Sequence, residues 1–137
     1  MSVDSKIVAC DVGLKRIGLA ALIQGVVLPL TPIARRNRNQ AAQEVSALLR
    51  AREAEIVLIG LPSGGVAGYE DTRRRIEHFA SLLEFGGDII FVNEDYTSLE
   101  ALESLSHITR RKREKARRDG RLDSLSACKI LERYLEG

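Results

Sequence analysis

Tryptophan is absent from the 137 residues, and Phe and Tyr contribute three each, so aromatics make up only 4%. That scarcity excludes extensive base stacking as a way of holding a nucleic acid. Cysteine is equally sparse. Cys10 and Cys128 form no CxxC pair, and two isolated thiols make no disulfide framework. Both are read as small buried hydrophobes. The two histidines, His78 and His107, have no partner at metal-ligand spacing and are read as structural or exposed. No apolar run approaches the roughly 20 residues that a membrane span needs. Met1 to Lys6 carry no signal-peptide pattern. The expectation is a cytoplasmic protein without membrane association.

What is present fits a folded chain. A hydrophobic fraction of 45% with 29% charged residues matches a globular domain with one core, expected over 1–137. The net charge of +2 hides an asymmetry. Residues 110–121 hold eight cations against two acids: Arg110, Arg111, Lys112, Arg113, Lys115, Arg117, Arg118 and Arg121, with Glu114 and Asp119. A block of one sign points to an anionic partner.

The hydrophobic pattern predicts short strands over 6–11, 16–23 and 26–33, with Gln24-Gly25 as a turn between the last two. Pro29 cannot donate to a ladder, which puts the third strand at a sheet edge. Ala42, Val45, Leu48 and Leu49 recur at helical spacing and predict a helix over about 38–53. The run Ile56-Val57-Leu58-Ile59 reads as a strand buried on both faces and ending at Gly60. A Pro/Gly/Ser loop follows over 61–68, and Ile76, Phe79, Ala80 and Leu83 predict a second helix over about 70–85. Ile89-Ile90-Phe91-Val92 reads as another buried strand. Thr97 and Glu100 fit a capping box that opens a helix carrying Leu102, Leu105 and Ile108. Leu122, Leu125, Cys128, Leu131 and Leu135 mark a last helix. The order β-β-β-α-β-α-β-α-α predicts an α/β fold. Its mixed five-stranded sheet has order 3-2-1-4-5, with an antiparallel half joined to a parallel half by right-handed crossovers and helices on both faces. That is the RNase H-like arrangement.

Asp11 closes the first apolar strand, where burying an unpaired charge is costly. Glu94 follows the strand at 89–92, parallel to the first, so both acids leave the sheet at its carboxyl edge, where open α/β sheets bind ligands. Asp123 lies in the first turn of the last helix, favoured there by the helix dipole, and joins them if that helix packs beside the first strand. Three carboxylates suit Mg²⁺ or Mn²⁺. Two such ions roughly 4 Å apart can activate water and stabilise the leaving oxygen of a phosphodiester. Lys15 and Arg16 sit beside this spot as candidate phosphate contacts. So do Arg110, Arg111, Lys112, Arg113, Lys115, Arg117 and Arg118, whose contacts would be salt-sensitive and independent of sequence.

The stretch Asp11-Val-Gly-Leu-Lys-Arg-Ile-Gly-Leu-Ala20 resembles the opening motif of the YqgF family of RNase H-like nucleases, also called Holliday junction resolvases or pre-16S rRNA nucleases. Ile59-Gly60-Leu61-Pro62, Asn93 to Ala101, and Asp123 to Leu135 resemble its later motifs, so the resemblance spans essentially the whole chain. It implies that Asp11, Glu94 and Asp123 are the catalytic, metal-binding acids. It also implies that the substrate is precursor rRNA or branched DNA. The family's third motif usually reads Asp-Glu-Arg before its Thr pair. Here Asn93 stands for the first acid and Asp95 for the Arg.

Three functions follow from these residues. The first is a metal-dependent endonuclease that processes the 16S rRNA precursor, or resolves branched DNA. The second is a non-catalytic module that binds nucleic acid or ribosome, against which the retention of all three acids counts. The third, an actin-type ATPase, needs two such lobes and a longer chain. The expected oligomeric state is a monomer or weak homodimer.

Overall fold

The computed structural model describes residues 6–62, 70–93 and 121–136, apart from the side chains of 121–123. Its strands are β1 (Ile7–Val12), β2 (Arg16–Ile23), β3 (Val26–Ala34), β4 (Ile56–Leu61) and β5 (Asp88–Asn93). Its helices are α1 (Arg38–Ala51), α2 (Glu70–Ser81) and α3 (Arg121–Glu136). The five strands form one sheet in the order β3-β2-β1-β4-β5. The β1–β2 and β2–β3 pairs are antiparallel, whereas β1–β4 and β4–β5 are parallel. The expected topology is therefore the observed one. Among the described residues no helix is long and apolar enough to cross a membrane.

Strand periodicity divides the core into two layers. Val8 and Cys10 of β1 pack with Ile17, Leu19, Val57 and Ile59 against α1 and α2, through Val45, Leu49, Ile76 and Phe79. Ile7 and Ala9 face the other way with Ala20 and Leu58, against Ala127, Ile130 and Leu131 of α3. Both cysteines are free and buried, Cys10 in the first layer and Cys128 in the second. Helix α1 is fixed at its start by Asn37. The Asn37 side chain accepts from the Gln40 amide at 2.7 Å, while Gln40 Oε1 accepts from the Asn37 amide at 3.3 Å.

Pro29 lies in β3 at the sheet edge, as the missing donor requires. Two expectations need correction. Helix α2 ends at Ser81 rather than near 85, because the Leu82 and Leu83 amides turn back to Phe79 and Ala80 in tighter three-residue bonds. Strand β5 is not buried on both faces. It is an edge strand, and Ile89 and Phe91 remain 36% and 44% exposed where α2 only partly covers them. The helix expected over 97–108 lies outside the described residues.

Candidate active site at the carboxyl edge

Asp11 is the fifth residue of β1 and is half-buried. Strand alternation sends its side chain to the face shared by Ile7 and Ala9, the one that α3 covers. Its cross-strand partner on β2 is Gly18. On the other side, Cys10 pairs with Ile59, so the next step along β4 brings Gly60 level with Asp11. Gly18 precedes Leu19 and Gly60 precedes Leu61, both of which face the opposite layer, so the two glycines share the Asp11 face. The carboxylate is thus flanked on both sides by residues without a side chain. Both glycines are buried, so the strands pack closely on either side of the carboxylate.

The loop after Asp11 is short and tight. The Gly13 amide donates to the Arg16 carbonyl at 3.0 Å, and a Cβ on Gly13 would come within 2.7 Å of that oxygen. Leu14, Lys15 and Arg16 consequently project to solvent, with Leu14 68% exposed. Lys15 and Arg16 therefore stand where the sequence put them, accessible and next to Asp11. The Arg35 guanidinium donates to the Gly13 carbonyl at 2.8 Å and braces the loop from behind.

Helix α3 crosses the sheet from the β3 side to β5. Its residues Ser124 and Arg133 are about 14 Å apart along the axis at the usual helical rise, close to three strand spacings. Ser124 is fully buried. Its hydroxyl donates to the Leu30 carbonyl of β3 at 2.6 Å and accepts from the Leu19 amide of β2 at 3.4 Å. This bridge sits beside an irregularity in β2–β3 pairing, where the register passes from Ile17↔Ile33 to Leu19↔Leu30. The extra β3 residue is accommodated over Thr31 and Pro32, and Pro32 has no amide to donate. At the other end, Arg133 Nη1 donates to the Asn93 carbonyl, the last residue of β5, at 2.7 Å.

These anchors bear on the other two acids. Asp123 directly precedes Ser124, so its backbone belongs to the first turn of α3, as expected. Glu94 directly follows Asn93 but lies outside the described residues, as do Arg110, Arg111, Lys112, Arg113, Lys115, Arg117 and Arg118. Among the described residues no group of three His, Cys, Asp or Glu side chains is gathered as a metal site. Asp11 nevertheless offers the hard oxygen donors that such a cation prefers.

Neither buried thiol is suited to act as a nucleophile. Burial pushes Cys10 up to about 12, with the Asp11 charge adding to the effect. Cys128 is raised to about 11, again chiefly by burial. Both stay protonated at neutral pH. Two residues that matter here were missed in the sequence. Ser124 interrupts the apolar stripe Leu122–Leu125–Cys128, which was the available signal, and Arg35 offered none.

A family profile described as "RuvX: Holliday junction resolvase" matches residues 5–137. A protein of Helicobacter hepaticus named "Putative pre-16S rRNA nuclease" is 60% identical over 130 residues, covering 95% of this chain and 94% of that protein. A Helicobacter pylori (strain G27) protein of the same name is 55% identical over 130 residues, covering 95% of each. Among solved structures, the Fowlpox virus resolvase in complex with Holliday junction DNA aligns with a TM-score of 0.55 at 13% identity. That alignment covers 96% of this chain and 97% of the viral one, a likeness of fold. The fold is RNase H-like.

Proposed function

The chain belongs to the RuvX Holliday junction resolvase family, and from that membership we propose that it is an endonuclease using divalent metal to process the 16S rRNA precursor in the cytoplasm. The single observation that carries the reading is Asp11. It is a half-buried carboxylate at the carboxyl edge of the sheet, with Gly18 beside it on β2 and Gly60 level with it on β4. The names of relatives at 55–60% identity favour the rRNA substrate. The family's own description favours branched DNA as the second reading.

Asp11, Glu94 and Asp123 would hold the metal, Mg²⁺ or Mn²⁺. Bound there, it would lower the pKa of a water and offset charge on the leaving oxygen, so no protein nucleophile is required. The residues of the chain do the positioning. Asp11 is fixed by two flanking strands. Ser124 ties the start of α3 to β2 and β3, and so sets where the backbone of Asp123 begins. Arg133 holds the end of β5 just before Glu94. Lys15 and Arg16 extend past this edge and would neutralise phosphate oxygens on either side of the cut.

The test is cleavage of precursor 16S rRNA and of a four-way DNA junction, each with and without Mn²⁺, for the wild type and Asp11→Asn. Metal-dependent cleavage of the rRNA by the wild type, lost in Asp11→Asn, is expected. Activity that persists in Asp11→Asn would remove Asp11 from the chemistry. Cleavage of the junction alone would select the second reading.

A further inference from the structure

Three arginines from separate parts of the chain converge on the α1/α2 side of the same sheet edge. Arg35 lies between β3 and α1, Arg38 is the first residue of α1, and Arg75 lies in α2. All three are half-buried. None makes an ion pair among the described residues. Arg38, three residues after Arg35, reaches His78 of α2 at 2.7 Å, one helical turn from Arg75. Arg35 is shifted downward first by burial, then by the charges of Arg38 and Arg75.

What they do touch leaves their charge unspent. Arg35 donates to the Gly13 carbonyl at 2.8 Å and Arg75 to the Thr72 hydroxyl at 3.2 Å. Arg38 Nη1 lies 2.7 Å from Nδ1 of His78, which must act as acceptor because a guanidinium can only donate. Arg38 Nε is buried with no hydrogen-bond partner among the described residues. The first turn of α1 contains no acid, so Arg38 also stands at the positive end of a helix dipole, where a cation is disfavoured. Like charges crowded at a half-buried surface, without a carboxylate and with an orphaned donor, are what an anion site looks like before its anion arrives.

We propose that Arg35, Arg38 and Arg75 form a second phosphate subsite, which grips the backbone of the nucleic-acid strand beyond the stretch held at Asp11. It rests on the nuclease reading for the identity of the anion. The geometry joins the two sites directly, since Arg35 bonds the carbonyl of Gly13, two residues past Asp11. The carboxylate faces the α3 side and the arginines the α1/α2 side, so a strand laid over the β1–β2 loop meets both. The exposed Lys15 and Arg16 lie between. Guanidinium forks match phosphate oxygens in pairs and carry no base information, so the subsite holds and orients the substrate without selecting sequence.

The test is the salt dependence of binding to a fluorescent four-way DNA junction, measured with the full chain in EDTA so that nothing is cut. Losing two phosphate contacts should flatten the slope of log K against log salt by about 1.8 in Arg38→Gln/Arg75→Gln. Between about 50 and 200 mM salt the wild type should then lose roughly tenfold more affinity than this variant. Arg38→Lys/Arg75→Lys should keep most of the wild-type slope. Arg52→Gln carries one of the same charge changes about 21 Å away along α1 and should leave the slope unchanged. A Gln pair that runs parallel to the wild type overturns the proposal. So does a Lys pair that falls with the Gln pair, which would mean structural damage, or a wild type that does not bind the junction at low salt. Because binding is read without cleavage, a protein that cuts nothing yet shows the slope change loses the nuclease reading and keeps this subsite. A protein that cuts with parallel slopes loses only the subsite.

Discussion

Replacing Ser124 by alanine removes one oxygen and tests how α3 is attached to the sheet. The hydroxyl is fully buried and serves two backbone groups, the Leu30 carbonyl at 2.6 Å and the Leu19 amide at 3.4 Å. The second contact is too long to contribute much, so the loss is dominated by the Leu30 bond. Leaving a buried backbone group without its partner costs about 1–3 kcal/mol, and about 2 kcal/mol is the central value here. Unfolding entropy near 2 cal/mol/K per residue over a chain of this length converts that to a fall in Tm of about 7 °C. Calorimetry of Ser124→Ala beside the wild type measures it. The same bridge holds the first turn of α3 at Ser124, the residue after Asp123, so cleavage under saturating substrate should also drop by about tenfold or more. A Tm within about 1 °C of wild type would refute the reasoning, because a fully buried hydroxyl bonded to a backbone carbonyl cannot be removed without cost.

Gly18 is buried beside Asp11, so a larger side chain there should affect folding as well as activity. Gly18→Val should cost about 1–3 kcal/mol by overpacking and lower cleavage by about 10²-fold through displacement of the Asp11 carboxylate. Paired melting and cleavage assays compare the two effects. The thiols make a prediction about pH. Both are raised in the folded state, to about 12 for Cys10 and about 11 for Cys128, so the native protein holds protons that the unfolded chain releases. Their contribution is fully present below the ordinary thiol pKa near 9 and is lost as pH climbs through 11 and 12. At pH 8 a disulfide reagent should label neither thiol until urea unfolds the protein, and rapid native labelling of Cys10 would contradict its burial.

Apart from the end of α2, the strand and helix boundaries were legible because they depend on local rules. Short apolar runs and the Gln24-Gly25 turn gave β1 to β3, helical spacing gave α1 and α3, and Pro29 marked an edge. Strand β5 was misread for a physical reason. Ile89-Ile90-Phe91-Val92 is as apolar as Ile56-Val57-Leu58-Ile59, but β4 has a strand on each side and β5 only one. A run of apolar residues reports that a strand can be buried, and its place in the sheet decides whether it is. The placement of Asp11 near the end of β1, with Lys15 and Arg16 exposed after it, was equally legible, since an acid at the end of an apolar strand followed by a glycine loop is a local pattern.

The remaining features depended on contacts between distant residues. That Gly18 and Gly60 stand on either side of Asp11 follows from register between three strands. The Ser124 bridge joins residues 94 and 105 positions apart. The cluster of Arg35, Arg38 and Arg75 exists only because α1 and α2 pack on the same face of the sheet. The sequence by itself determined the periodicity of each segment and the chemistry at its ends, because burial of apolar side chains is written residue by residue. Only the tertiary structure decided which distant groups meet. That depends on crossovers, register and the shared faces of the sheet, and none of these is a property of a single segment.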